Sequence, residues 1–390
     1  MATEKNPYDQ IPQEAPPSVI PAASETELDA TFEVVEDDGG VVVDFASEEE
    51  EVSMEPSEDV TEWYSDITDT LDEQTLVNIS TDVISNLQAD KDSRGEWESM
   101  FERGFDLLGL KLEPGSEPFE GACTAVHPLL IESAVKFQSK ASGELFPSSG
   151  PVKANVLGKV TPEKQMQANR VQNFMNYQLT EQMPEYFDEF ERMLFHLPLI
   201  GSAFKKIYYS STLNRPVSEF IPIDQFYISY YATDLRNADR YTHVIYRSPV
   251  EIQKDILAGV YKDIELPTPN QTNITSLTQK MDTILGLSPS ADNDPQYVLL
   301  EQHCYLDIEN KDQSLPYIVT VEEQTRQVLS IRRNYEPDDP NMEKRSHFVH
   351  YRFVPGFGFY GLGLIHFLGN LTMSATAAMR SLIDAGQFAN

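Results

Sequence analysis

The segment from His347 to Asn390 constrains the fold more than any other part of the chain. Residues 347–353 are aromatic and β-branched, which predicts a strand, and Pro355 ends it. A helix is expected to follow over residues 362–385. No Asp, Glu, Lys or Arg lies between Arg352 and Arg380. A helix with so little charge and so many small residues is suited to close contact with another surface.

Four glycines, Gly356, Gly358, Gly361 and Gly363, separate this strand from this helix and allow two interpretations. The first three match the G-x-G-x-x-G pattern of a dinucleotide-binding turn, in the required strand-to-helix context. However, the intervening residues are bulky aromatics, and Asp384 lies at the end of a helix instead of the tip of a second strand. We therefore predict a structural turn without a phosphate site, which an alanine at Gly358 would damage if that residue adopts positive φ.

The chain has 390 residues and a mass of 44.1 kDa, enough for two or three domains. Its net charge of −34 is concentrated at the beginning: residues 1–60 hold 18 acidic residues and one basic residue, or −17. Residues 61–120 add −11 and the remainder only −6. Charge and frequent proline predict disorder over residues 1–60, either as an acidic interaction tail or as a solubilising leader without a specific partner.

Cysteine content and hydropathy indicate the compartment. Cys123 and Cys304 are far apart and have no C-x-x-C spacing, so no disulfide framework or zinc site is expected and a reducing environment fits. The beginning of the chain lacks the cationic and apolar regions of a signal peptide. Polar residues such as His366 and Asn370 interrupt the uncharged helix, so we expect a soluble intracellular protein and no membrane span.

Hydrophobic periodicity predicts an α+β fold, in which N-terminal helices precede β-hairpins and a long C-terminal helix. Helices are expected over 72–89, 93–108, 128–145, from 162 to Pro184, along the following apolar stripe from Tyr186 to Leu197, and over 249–260. Strands are expected over 203–210, 217–223, 226–229, 241–247, 297–308, 317–322 and 327–333. The expected division is 1–60 tail, 61–200 helical part, 201–265 β-rich part, 266–296 polar loop or linker, and 297–390 hairpin region and long helix.

The sequence lacks the common catalytic and nucleic-acid-binding patterns. It contains no Walker A loop, no G-x-S-x-G turn and no H-E-x-x-H pair. Glu301 and His303 share a strand face, but two ligands are too few for a metal site, and His347 and His350 should face opposite ways. Adjacent basic pairs on strands also face opposite ways and form no basic stripe. These residues predict a non-catalytic interaction protein without catalytic, cofactor or metal residues.

Three segments resemble the portal proteins, or head–tail connectors, of short-tailed bacteriophages. The first is PFEGACTAVHPLLIESAV from Pro118, with ELFPSSGPV from Glu144. The second joins PYIVTV from Pro316 to VLSIRRN from Val328. The third and most specific is YRFVPGFGFYGLGLIH from Tyr351, continuing to LIDAG from Leu382. The likeness covers roughly residues 70–390, and the family-motif residues within it are Gly121, His127, Pro128, Arg332 and Arg333.

The resemblance implies a portal-like, ring-forming subunit of a twelve-membered virion ring at one capsid vertex, assembled in the host cytoplasm. Double-stranded DNA would pass through its lumen during packaging and ejection. The implied partners are other copies of the chain, a terminase, capsid and scaffold proteins, and tail or head-completion proteins. Family members are longer, so we expect the sequence to be incomplete after residue 390. Two alternatives remain: a nucleotide-binding enzyme using Gly356–Gly361, and an oligomeric structural protein other than a portal.

Overall fold

Helices come first in the order of secondary-structure elements. The computed structural model describes residues 63–110, 121–210, 213–229, 231–269, 279–281, 283, 296–308 and 313–389. Helix α1 spans Glu73–Ser93 and α2 spans Gly95–Asp106. Asp72 caps α1 by accepting a hydrogen bond from the Thr75 amide at 3.0 Å, which satisfies a donor that the helix itself cannot pair. The apolar face of α1 is buried, as its period-3.6 pattern predicts.

Three further helices precede the first strand: α3 spans Leu129–Leu145, α4 spans Pro162–Tyr177 and α5 spans Glu185–Ile200. Thr161 caps α4 by accepting a hydrogen bond from the Lys164 amide, as its position before Pro162 predicts. A π-helical turn, Gln178–Gln182, joins α4 to α5. Gly201 directly follows α5, and its φ of +98° is the left-handed backbone conformation that commonly terminates an α-helix.

The strands form two antiparallel sheets. A three-stranded sheet has the order β2-β1-β8, with β1 at Ser202–Ser210, β2 at Arg215–Ile221 and β8 at Phe348–Arg352. A five-stranded meander has the order β3-β4-β5-β6-β7. Its strands are Phe226–Ile228, Tyr241–Arg247, Tyr297–Leu306, Leu315–Glu322 and Val328–Arg333. The long-range pairing of β1 with β8 brings the C-terminal segment beside the end of α5.

Two further helices in the described part of the chain are α6, at Pro249–Leu257, and α7, at Leu364–Ala389. Alternation along β5 sends Leu300 to the α1 side of the five-stranded sheet and Leu299 to the α6 side, so this sheet is covered on both faces. A separate core joins α2, α3 and the start of α7 to the three-stranded sheet, and Phe101, Phe204 and Phe359 are fully buried in it.

The structure is therefore mixed α/β with two antiparallel sheets and a long C-terminal helix, which confirms the α+β prediction. Most strand and helix bounds agree within three residues. Helix α6 ends earlier than predicted because Gly259 adopts a φ of +70° and turns the chain. The predicted tail, 1–60, and most of the predicted loop, 266–296, lie outside the described residues.

Candidate functional site

The glycine turn packs main chain against main chain. A Cβ atom added to Gly361 or Gly363 would overlap backbone atoms of residues 199–201, and one added to Gly201 would overlap residues 361–363. None of the four turn glycines has positive φ, so Gly358 does not meet the condition under which an alanine there would cause damage. The residue of this contact that does have positive φ is Gly201. At these contacts glycine is required because of close approach between two backbones.

Three consecutive amide groups at the end of this turn, those of residues 361–363, are directed at protein acceptors. The Gly361 amide donates to Ser202 Oγ at 2.7 Å, and the Gly363 amide contacts His366 Nδ1 at 3.0 Å. The Leu362 amide donates to the Val354 carbonyl oxygen at 2.8 Å. A phosphate site needs such amides to point toward the ligand, so this geometry favours the structural interpretation of the turn over the nucleotide-binding one.

The first group of family-motif residues lies where α3 begins and α7 passes. Gly121 has a φ of +87°, a conformation that other residues rarely adopt. The His127 amide donates to Thr376 Oγ1 on α7 at 3.0 Å, and Pro128 is the N-terminal flanking residue of α3. His127 and Pro128 therefore lie where the start of α3 contacts the middle of α7.

Arg332 and Arg333 lie at the end of β7 and point to opposite faces, as their adjacency predicts. Arg332 donates from Nη2 to the carbonyl oxygens of Gly259 and Val260, at 3.1 and 2.9 Å. Arg333 donates to the Trp63 carbonyl oxygen at 3.1 Å and lies over the Trp63 ring. Both guanidinium groups thus hold neighbouring segments of the same chain.

A polar cleft of about 590 Å³ lies between the two sheets, a feature that sequence reasoning missed. Lys206 on β1 and Glu301 on β5 meet there through Nζ and Oε2 at 2.6 Å, with both side chains largely buried. Burial alone would raise the pKa of Glu301, but Lys206 and His303 outweigh it and hold that pKa well below its usual range. This ion pair connects the two sheets.

Two buried histidines, His243 and His303, lie next to Glu301. The predicted common face of Glu301 and His303 is confirmed, because Glu301 Oε1 lies 3.1 Å from His303 Nε2. His243, opposite Glu301 on β4, is buried, and its Nδ1 has no hydrogen-bond partner within the described ranges. Burial raises the pKa of Glu219 at the cleft wall and raises that of Tyr208 to about 12.

The charges around the cleft balance. Five carboxylates and five basic side chains line it: Glu189, Glu219, Glu251, Asp255 and Glu301, with Arg192, Lys206, Arg247, Lys254 and Arg332. The cleft therefore offers neither an anion nor a cation a strong net attraction. In the described part of the chain, no group of three or more His, Cys, Asp or Glu side chains is arranged to hold a metal ion. The clearest role of this network is to join the sheets.

Two groups of exposed apolar side chains stand out among the described residues. The first is on the arm, defined as residues 151–182, which includes α4 and the π-helical turn. Helix α4 has no buried residue, and Phe174 and Tyr177 are 59% and 53% exposed. The second is the α7 face, defined as Phe367, Leu371, Ser374, Ala378 and Leu382. Its residues recur at three- and four-residue spacing, and all are exposed.

Amide side chains hold α4 against the extended part of the arm. Asn176 accepts a hydrogen bond from the Val152 amide at 2.9 Å and donates to its carbonyl oxygen at 3.2 Å. Gln172 accepts from the Ala154 amide at 3.1 Å. These bonds occupy one side of α4, so its apolar side is left facing solvent in one copy. The α4 apolar repeat is visible in the sequence, but its exposure depends on tertiary structure.

Among the described residues, no helix is both long enough and apolar enough to cross a bilayer. Comparison with known proteins finds no matching family model and no matching curated protein.

Proposed function

We propose that this chain is the subunit of a portal ring, through which double-stranded DNA enters and leaves a bacteriophage capsid. The observation that carries the proposal is the third resembling segment, Tyr351–Gly386. It forms one continuous unit of strand, glycine turn and a helix with only two charged residues, Arg380 and Asp384, and main-chain contacts fix it to the end of α5. The portal-like assignment of the fold is part of the same proposal.

The exposed surfaces support an assembled state. A soluble monomer rarely leaves large apolar patches in water, and such patches commonly mark interaction sites. The arm and the α7 face both expose large apolar side chains in the single copy. Twelve copies in a closed ring would cover surfaces of this kind through repeated contacts, which a rotational symmetry supplies.

The charge distribution supports a conduit instead of a tight DNA-binding site. Residues 121–390 carry a net charge of only −6, in contrast to −17 for residues 1–60. A wall that attracted phosphate strongly would hold the duplex at each step, whereas a neutral or weakly acidic wall allows it to slide. In this role the chain hydrolyses nothing, and a separate terminase drives the DNA. Capsid, scaffold, tail and head-completion proteins would contact the ring in the virion.

The test is the stoichiometry of the assembled protein, expressed with all of its natural sequence. Electron microscopy and mass measurement should show closed rings of about twelve subunits, as the resemblance implies. A protein that remains monomeric at high concentration and moderate salt, or that hydrolyses ATP by itself, contradicts the proposal. Rings without a DNA-sized channel would favour another oligomeric structural protein. Saturable micromolar binding of NAD or ATP, lost in Gly358→Ala, would favour the enzyme alternative.

A further inference from the structure

The arm and the α7 face are separate apolar surfaces that do not cover each other within one copy. Met166, Phe174 and Tyr177 fall within about 80° of one another around α4, at 100° per residue, and all three are more than half exposed. Phe367, Leu371 and Leu382 form a similar stripe on α7, with small residues between them. No extensive contact joins α4 to α7 in the described structure.

The charges of the two surfaces differ. Residues 151–182 carry four basic residues and two acidic ones, a net +2 in a strongly acidic chain. The α7 face carries none. Two arms placed against each other would therefore oppose like charges, which is unfavourable at an interface. An arm placed on the α7 face meets no like charge there. Its basic side chains remain at the edge of the contact.

The exposed area is sufficient for a specific contact. Met166, Val171, Phe174 and Tyr177 on the arm, with Phe367, Leu371 and Leu382 on α7, provide seven large side chains. A large side chain has on the order of 200 Å² of surface, and these seven are half to three-quarters exposed, so at about 100 Å² each they contribute about 700 Å² of apolar surface. Since apolar atoms make up about 60% of an interface, the whole contact would bury roughly 1,200 Å², the lower end of the range for specific complexes.

We propose that the arm of one copy docks on the α7 face of a second copy, in a head-to-tail contact. The arm supplies one half of the interface and α7 the other, so every copy has both halves and can bind two neighbours. Such a contact closes into a ring when its rotation permits. The inference rests on the proposed function for ring closure, whereas the contact itself can be tested separately.

The experiment uses one variant for each half of the contact. Phe174→Asp places a charge on the arm, and Leu371→Asp places one on the α7 face; both positions are exposed, so folding should be retained, which circular dichroism checks. Each variant alone should be monomeric by sedimentation and should raise the apparent dissociation constant roughly 100-fold or more. Leu257→Asp, at an exposed position on α6, is the matched control and should assemble like the wild type.

Mixing the two variants gives the decisive result. The intact arm of the Leu371→Asp chain can still bind the intact α7 face of the Phe174→Asp chain, so an equimolar mixture should form 1:1 dimers that do not grow. A mixture that remains monomeric overturns the inference and indicates other occupants for these surfaces. If the wild type forms rings and both variants do so equally well, the inference fails while the proposed ring stands. A monomeric wild type contradicts both.

Discussion

Acidification should weaken the fold through His243 on β4. This side chain is only 4% exposed. Burial is the main reason that the pKa of His243 is lowered to about 3; Lys206 adds to the effect and Glu301 opposes it. In the unfolded chain the pKa returns to about 6.5. Because only the unfolded chain takes up the proton, this contribution to stability is complete above pH 6.5 and is lost as the pH falls from there toward 3.

The separation of the two pKa values sets the magnitude. At pH 5.0, protonation stabilises the unfolded imidazole by about 2 kcal/mol and the folded one hardly at all. Burial also lowers the pKa of His347 to about 4 and that of His350 to about 3. If each of the three histidines lowers the free energy of unfolding by about 2 kcal/mol, the sum is a large part of the 5–15 kcal/mol that stabilises an ordinary domain. We therefore expect a strongly acid-sensitive fold.

Urea unfolding at pH 7.5 and pH 5.0, followed by circular dichroism and tryptophan fluorescence, measures this loss. Gln cannot titrate, so His243→Gln should lose about 2 kcal/mol less than the wild type between the two pH values. This comparison removes any effect of the substitution that is independent of pH. Equal losses in the two proteins would refute a buried neutral imidazole at this position.

Three further perturbations test other parts of the structure. Arg94 is fully buried and donates from Nη1 to two backbone carbonyl oxygens. Arg94→Met should therefore lower the free energy of unfolding, measured with urea, by about 3 kcal/mol. An unchanged free energy would contradict this role of Arg94. Gly363→Ala should prevent correct folding, whereas Gly386→Ala, with nothing within 4 Å of its added Cβ, should not. Deleting residues 1–60 should leave assembly intact if they are only a leader. In the undeleted chain, amide hydrogen exchange over residues 1–60 should be fast, and slow exchange over residues 31–45 would show order.

Local signals in the sequence predict the elements of this fold well. Thr161 and Pro162 mark the start of α4, and the apolar period marks the buried face of α1, because both depend on residues within one or two helical turns. Strand alternation likewise places Glu301 and His303 on one face. The sequence therefore predicts secondary structure and the orientation of neighbouring side chains.

The candidate surfaces and the cleft depend on contacts that local patterns do not contain. Lys206 and Glu301 are 95 residues apart, and they meet only because of how the two sheets lie against each other. The apolar repeat of α4 has the same period as that of a buried helix, so the sequence alone cannot distinguish a core face from a surface for a partner. The turn glycines are conspicuous in the sequence, but the chain segment they approach, at Gly201, is some 160 residues away.

The backbone contact at Gly201, Gly361 and Gly363 has a consequence for how this protein can diverge. Where two side chains pack against each other, a larger residue at one position can be compensated by a smaller residue at the other, so the two positions can change together during evolution. Here both partners are main chain, and no neighbouring substitution can make room for a Cβ atom. Insertions between residues 361 and 363 would likewise displace the start of α7 from β1. We therefore expect distant relatives to retain these three glycines, and the spacing of the last two, after most other identity has been lost.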